Sequence, residues 1–262
     1  MKAIGLITGL SIGLLSFTNV GDSTIQKEDY KVQSYQVGEK LRYRVSFGAM
    51  DAGEAVLEVK QSNKKVNGEN ALHVVGTGKT LGIFKLFYNV HDVYESHIDK
   101  STAYPVTFKR RVDEGGHKIS QDYNFDHSSK KVKTQDGKNF DINEGIQDMI
   151  SSFYFARTID MDTVKVGDVL TYNCFMDNEV WPLKIRYKGI ENIRIRKGKF
   201  RCHKFTPVLQ KGKYFKNEQD VQVWITDDEN KIPIYVKAKI KVGTVKLHLV
   251  EWKNLKHSLA KI

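Results

Sequence analysis

The chain has 262 residues, of which 40% are hydrophobic and 11% aromatic, so it can bury enough apolar surface to offset the entropy of ordering, and intrinsic disorder is excluded. The length suits one large core or two joined cores. The formal net charge of +11 favours anionic partners such as lipid headgroups or polysaccharide, although the basic residues are spread along strand-like segments.

The first residues form a candidate targeting segment. Lys2 precedes the uncharged run Ala3–Phe17, which is rich in Ile, Leu and Gly. This run is short for a bilayer span of about 20 residues, so we predict a cleaved signal peptide over residues 1–21. The alternative is a retained membrane anchor, because glycines recur every four residues from Gly5 to Gly13. We expect a periplasmic or secreted protein, and export argues against nucleic acid as a partner.

Residues 22–36 are polar and predict a flexible lead-in, after which the pattern changes to period two. From Leu41 to Phe47, apolar residues alternate with polar ones, as in a half-buried strand. Asn67-Gly68 is a hairpin signal. Further strands of this half are predicted at 55–59, 71–77, 84–95, 105–113, 118–125 and 130–134.

Residues 141–159 break this rhythm. Ile146, Ile150 and Phe153 have helical spacing and form one apolar stripe, so we predict a central helix that packs onto a sheet. Residues 253–262 are expected to form a C-terminal tail. Strands of the second half are predicted at 168–176, 180–196, 199–209, 218–226, 231–241 and 243–252.

The second half of the sequence repeats features of the first. The segment Gly38–Tyr43 (GEKLRY) is similar to Gly167–Tyr172 (GDVLTY), and Tyr104-Pro105-Val106 matches Ile232-Pro233-Ile234 at nearly the same offset. Each proline marks a strand start, where its missing N–H costs nothing. These matches predict an internal duplication.

The fold class predicted from these patterns is mainly β. We expect a curved antiparallel sheet or half-open barrel, made of two tandem modules (37–140 and 160–252) with the helix 141–159 between them. No flexible linker divides the modules, so residues 37–252 are predicted to form a single domain.

The sequence contains two cysteines, Cys174 and Cys202. In an oxidising compartment they could form a disulfide. They lie in different predicted strands with another strand between them, so two separately buried thiols are the alternative. The sequence leaves both possibilities open.

One segment is similar to a phosphate-binding loop. Gly76–Thr80 (GTGKT) ends like that motif, but His73 occupies the position of its first glycine. The following residues favour a strand over the helix that the motif requires. We therefore expect no nucleotide cofactor.

The sequence contains no convincing catalytic or metal site. Ser96, His97 and Asp99 are the residue types of a hydrolytic triad, but neighbours on a strand point to opposite faces. None of the 8 histidines has the i, i+4 helical spacing of a zinc site. The carboxylate pairs Asp227-Asp228 and Asp177/Glu179 lie in predicted turns, where Asp is favoured for turn geometry. We expect no catalytic residue, metal or cofactor and a non-enzymatic protein, with a hydrolase of envelope polymers as a minor alternative.

The large aromatic side chains suggest a different kind of site. Most are expected to be ordinary core, but a curved sheet around a helix often leaves an apolar cavity that binds a ligand. Residues that would line such a pocket are Phe47, Phe84, Phe87, Tyr88, Phe153, Tyr154, Trp181 and Trp224.

Several stretches resemble an exported bacterial family known as domain of unknown function 3108. They include Leu41–Gly48, Val93–Asp99, Ser152–Arg157, Trp181–Ile185 and Gly198–Cys202. The resemblance covers nearly all of residues 37–252 and implies an exported β protein. The family has no established activity or catalytic residues, so the resemblance implies no reaction.

Two hypotheses for the function follow. The first is a periplasmic, non-enzymatic binding or carrier protein for a hydrophobic or lipid-like ligand, held between sheet and helix. The second is a structural or interaction protein of the cell envelope, whose basic sheet faces bind a protein, a polysaccharide or another anionic component. The sequence does not determine the oligomeric state.

Overall fold

The computed structural model describes residues 23–24, 34–208, 220–240 and 243–262. The predicted signal peptide (1–21) and most of the predicted lead-in therefore lie outside the described residues. The helices are α1 (Gly82–Phe87), α2 (Ser151–Ala156) and a one-turn 3-10 helix (Met161–Thr163). The strands are β1 (Ser23–Thr24), β2 (Lys40–Phe47), β3 (Met50–Val66), β4 (Glu69–Thr80), β5 (His91–Ile98), β6 (Pro105–Glu114), β7 (His117–Asp126), β8 (Lys131–Thr134), β9 (Asn139–Asp141), β10 (Val169–Met176), β11 (Glu179–Ile195), β12 (Gly198–Pro207), β13 (Val221–Thr226), β14 (Pro233–Ile240) and β15 (Gly243–Lys253).

All the described strands belong to one sheet, in the order β1-β10-β11-β12-β13-β14-β15-β2-β3-β4-β5-β6-β7-β8-β9. Apart from the short parallel pair of β1 and β10, neighbouring strands are antiparallel. The first and second halves of the chain are joined where β15 pairs with β2. The predicted mainly β architecture is confirmed.

The two ends of the sheet approach each other. Phe175 of β10 contacts the rings of Tyr123 and Phe140, with ring centroids 5.0 and 5.4 Å apart. Just beyond β10, the Asp177 carboxylate accepts a hydrogen bond from Arg110 of β6 at 3.1 Å. Because β10 lies near one end of the strand order and β6 to β9 at the other, these contacts curl the sheet into a half-open barrel.

Corresponding positions of the two modules have the same local geometry. Gly38 has a φ of +91° and donates its N–H to the Val59 carbonyl at 2.7 Å. Gly167 has a φ of +104° and donates to the Tyr187 carbonyl at 2.9 Å. In each module this turn leads into a strand of 8 residues followed by one of 17. The internal duplication itself stays a prediction.

The central helix is shorter than predicted. Of residues 141–159, only Ser151–Ala156 are α-helical, and the segment before them makes turns. Gly145 takes a φ of +74°, which ends any helix there, and the Asp148 carboxylate accepts the N–H groups of Ile150 and Ser151. The helix does pack against the strands, since Tyr154 is fully buried among core residues.

The predicted strand 84–95 is wrong over its first part. Residues Gly82–Phe87 form α1, and the strand begins only at His91. A φ of +53° at Gly82 turns the chain out of β4. A short apolar run fits either a strand or a helix, so alternation alone could not separate them.

A buried ion pair fixes the start of the packed chain. The Arg157 guanidinium donates to both oxygens of Glu39, and both side chains are fully buried. Arg157 also donates to the backbone carbonyls of Ser34 and Asn230, each at 2.9 Å. Tyr35 packs beside it and is 2% exposed. The chain is thus held in place from Ser34, within the segment predicted to be flexible.

The last residues cover one end of the core. Leu255 and Leu259 pack against the cluster that contains Phe200 and Trp224. The Ile262 N–H donates to the Lys199 carbonyl at 2.9 Å. Residues 253–262 therefore close the β11–β12 side of the sheet.

Both cysteines are free and buried, as the second of the two alternatives has it. Cys174 lies on β10 and Cys202 on β12, with β11 between them. Burial raises the pKa of both thiols, that of Cys202 to about 12.

Candidate functional site

Helix α1 exposes its apolar side chains to solvent. Ile83, Leu86 and Phe87 have the i, i+3, i+4 spacing of one helical face, and they are 59, 85 and 74% exposed. Met50, the first residue of β3, is 57% exposed. Surface helices normally direct such a stripe toward the core. We call Met50, Ile83, Leu86 and Phe87 the apolar tip.

The opposite side of α1 holds the helix on the barrel. Phe84 packs against a core cluster at the same end of the sheet, which includes Val45, Phe47, Ala52, Leu183, Val221, Ile240 and Val245. The Leu81 N–H donates to the Ala52 carbonyl at 2.9 Å, and the Val90 N–H donates to Thr80 Oγ1 at 3.0 Å. The apolar tip is thus presented by an anchored helix.

Helix α1 carries one charged side chain, Lys85, which is exposed. Residues 79–91 include Lys79 and Lys85 and contain no Asp or Glu. Behind the helix, burial raises the pKa of Glu114 to about 7, and the Asp92 carboxylate adds to this effect. Glu114 is therefore partly protonated at neutral pH, and the helix itself presents only positive charge.

The structure does not bring the eight predicted pocket residues together. Phe47 and Phe84 meet in the cluster beneath α1, and Phe87 is in the apolar tip. Tyr88 packs over Gly115, where a Cβ would lie 2.6 Å from its ring. The remaining four, Phe153, Tyr154, Trp181 and Trp224, lie elsewhere.

Phe153 and Tyr154 pack together in the core around α2, with their ring centroids 5.6 Å apart. Trp224 belongs to a third cluster and stacks on Tyr235. Trp181 donates its indole N–H to the Met176 carbonyl at 3.2 Å. Phe153 and Tyr154 thus lie in a different part of the core from Trp224, and Trp181 is half-buried outside these clusters.

A surface cleft lies on the opposite end of the sheet from α1. It has a volume of about 490 Å³. Apolar walls come from Tyr35, Val37, Val66 and Leu72, and the rim carries charged groups including Lys100. No sequence motif indicated this cleft, because its walls come from distant segments.

The candidate triad is not assembled. Ser96 Oγ donates to the buried Asp148 carboxylate at 2.6 Å, whereas His97 Nδ1 is bonded to Thr107 Oγ1 at 3.0 Å. Asp99 accepts hydrogen bonds from Ser101. Each polar group serves a different local contact.

The GTGKT segment has a packing explanation. It lies within β4, and a Cβ at Gly76 would lie 2.7 Å from Ile150 Cδ1. The glycine therefore lets the segment before α2 approach the sheet.

A network of side-chain hydrogen bonds joins β11, β12 and the turn after β13. It was not predicted from the sequence. The Tyr187 hydroxyl is 2.9 Å from His203 Nδ1, and His203 Nε2 is 2.8 Å from Asp227. Arg201 pairs with the other oxygen of Asp227. These residues lie far apart in the sequence, so no local motif signalled them. Among the described residues, no group of three His, Cys, Asp or Glu side chains is placed to bind a metal ion.

A family model described as a protein of unknown function (DUF3108) matches residues 42–250. The chain belongs to this family. The earlier resemblance is thereby confirmed, and no curated protein sequence matches the chain.

Three solved structures of low sequence identity match this DUF3108 member to different degrees. A β-barrel-like protein of domain of unknown function DUF1849 from Brucella abortus is 9% identical, with a TM-score of 0.52 over 84% of this chain and 98% of that one. A DUF1089 family protein from Pseudomonas aeruginosa is 11% identical (TM-score 0.42, 72% and 90% covered). A Bacteroides fragilis protein, described as a candidate exported protein with a YmcC-like fold, is 10% identical (TM-score 0.34, 84% and 97% covered). At such identity the Brucella structure supports the fold alone.

Within the residues that the structure describes, no helix has the length and apolar character needed to span a bilayer.

Proposed function

We propose that the protein is an exported, non-enzymatic component of the cell envelope that docks on a lipid surface through the apolar tip. The observation that carries this proposal is the solvent-facing stripe of Ile83, Leu86 and Phe87 on an anchored helix. Helices that lie at a membrane interface combine such a stripe with basic residues. The proposal develops the second hypothesis, with a lipid surface as the occupant.

Charge complementarity favours a bilayer that contains anionic lipid. Helix α1 carries Lys85 and no acidic residue, and the whole chain has a net charge of +11. Fully burying a Leu or Phe side chain contributes about 1.5–3 kcal/mol. A few such side chains support reversible attachment.

Vesicle flotation with the purified protein tests this proposal. We expect the wild type to float with vesicles that contain equal parts of phosphatidylcholine and phosphatidylglycerol. The double variant Leu86→Ser/Phe87→Ser should bind at least about tenfold more weakly, because the two lost side chains together remove more than about 1.4 kcal/mol. Both side chains are exposed, so the variant should keep the wild-type Tm.

The matched control is Ile190→Ser, which removes another exposed apolar side chain, 48% exposed on β11. It should float like the wild type. Equal flotation of the tip variant would contradict the proposal. So would a concentration-dependent dimer that the tip substitutions abolish, because a second copy would then be the occupant.

Carriage of an apolar ligand is a second candidate, favoured by the cleft of about 490 Å³ beside Tyr35, Val37 and Leu72. The core aromatics pack against one another, so the cleft supports this function better than the barrel interior does. Lipid extraction from protein purified out of its native envelope tests it. A stoichiometric lipid whose binding is lost in Val37→Asp, at a cleft residue that is 41% exposed, would support carriage, and lipid-free protein would count against it.

A further inference from the structure

Two lysines lie directly opposite each other on neighbouring strands, with no acidic partner among the described residues. Lys237 of β14 lies directly opposite Lys246 of β15. Like-charged residues also lie opposite each other at Arg194 with Lys199 and at Lys40 with Lys253, whereas several other directly opposite charged residues are of opposite sign and form ion pairs. Such pairs are Arg42 with Glu251, Lys79 with Glu54, Lys118 with Asp113, and Lys131 with Asp141. The two lysines make no ion pair with any described residue.

Other basic groups border this pair. Arg44 of β2 lies opposite His248, two residues along β15 from Lys246. Burial lowers the pKa of His248, and the positive charges of Lys246 and Arg196 lower it further. One carboxylate, Asp51, lies 3.9 Å from Arg44. Lys239, one residue from the end of β14, is exposed.

The lysine pair lies toward the same end of the sheet as α1. Lys239 is opposite Thr244, and the Thr244 carbonyl accepts the N–H of Gly48, in the turn that leads to Met50. Ile240, the last residue of β14, belongs to the cluster on which Phe84 of α1 packs. The basic residues therefore begin beside the apolar tip.

Like charges directly opposite each other on a sheet are unfavourable for folding. A bound anion would remove this repulsion, and ammonium and guanidinium groups on one face suit the oxygens of phosphate. We propose that Arg44, Lys237, Lys239 and Lys246, the basic patch, bind the phosphate groups of anionic lipid headgroups. The inference rests on the proposed function, because it names the lipid class that the apolar tip meets.

The test compares vesicles of phosphatidylcholine alone with vesicles that contain equal parts of phosphatidylglycerol. Each basic residue near an anionic surface contributes about a fivefold gain in binding. Lys237→Gln/Lys246→Gln should therefore lose on the order of 20-fold in affinity for the anionic vesicles and nothing for the neutral ones. Removing the repulsion should leave its Tm equal to the wild-type value or higher.

The matched control is Lys118→Gln/Lys131→Gln, which removes the same charge from acid-paired positions. It should bind anionic vesicles close to the wild-type level. An equal loss in this control would overturn the basic patch, because net charge alone would explain the binding. Retention on an anionic polysaccharide resin without any preference for phosphatidylglycerol would overturn it in favour of a polymer.

The two proposals fail separately. A wild type that binds neutral and anionic vesicles equally, through Leu86 and Phe87, would refute the basic patch and leave the apolar tip in place. Binding to anionic vesicles that survives Leu86→Ser/Phe87→Ser but not Lys237→Gln/Lys246→Gln would refute the apolar tip alone. No binding to either kind of vesicle would refute both.

Discussion

Arg157 and Glu39 form a two-pronged ion pair, with N–H···O distances of 2.6 and 2.8 Å, in which neither side chain is exposed. The pair joins the residue after α2 to the turn before β2. Tyr35 and Tyr154 place their rings about the guanidinium at 5.2 and 5.3 Å. Such a pair is costly to bury but still more costly to break, because the remaining charge has no partner.

We therefore expect Glu39→Gln to lower the free energy of unfolding by about 3–5 kcal/mol, measured by urea denaturation. The exposed pair of Arg42 and Glu251 provides the control. Glu251→Gln should cost far less than Glu39→Gln, because solvent screens that pair. Similar losses in the two variants would contradict the special role of the buried pair.

Glu114 should make stability fall with rising pH. Burial, with Asp92, raises its pKa from 4.5 to about 7, so between these values the folded state holds a proton that the unfolded state has released. Unfolding then becomes easier as pH rises through this window, with no further change from this group above it. In Glu114→Gln, stability should vary less between pH 5 and about 7. Chemical denaturation at several pH values measures this, and identical slopes in both proteins would refute the assignment.

Gly76→Ala should destabilise the protein while Ile150 is present. Its backbone is compatible with alanine, but the added Cβ would lie 2.7 Å from Ile150 Cδ1 and 3.2 Å from Leu57 Cδ2. Overpacking of this kind costs about 1–3 kcal/mol. Ile150→Val removes the closest methyl group, so Gly76→Ala should cost less stability when it is combined with Ile150→Val. A double-mutant cycle measures the coupling, and strictly additive effects would show that the contact is absent.

The two thiols should be unreactive in the native protein. Cys174 and Cys202 are 4% and 0% exposed, and burial raises their pKa, which lowers the thiolate fraction. Titration with an aromatic disulfide reagent should detect both only after denaturation. Rapid reaction of either thiol in the folded protein would contradict the packing around β10 and β12.

Period-two alternation predicted most strands because each has one face in the core. The strand predicted at 105–113 is observed as Pro105–Glu114, and that predicted at 168–176 as Val169–Met176. Helix α2 was predicted too long, because the apolar spacing of Ile146 and Ile150 continues through turns. The spacing of apolar residues indicates which side chains are buried. It does not indicate that the positive φ of Gly145 prevents a helix there.

The site was harder to predict than the fold. Phe84 and Phe87 were grouped as pocket residues because both are aromatic, whereas the helix sends one to the core and the other to solvent. Only the conformation of α1 separates them. Tyr187 and His203, like Lys237 and Lys246, are neighbours only because of the strand register. The register cannot be read from the residue pattern of each strand alone.

The pairing of β15 with β2, which joins the two modules, constrains the order in which the chain can fold. Lys253 lies opposite Lys40 and Val245 opposite Phe47, so the second and the last of the described strands are neighbours. Such distant partners raise the contact order, and loop closure over this separation slows folding. A ribosome must synthesise nearly the whole polypeptide before β2 can acquire its second neighbour, and until then that strand keeps an open edge.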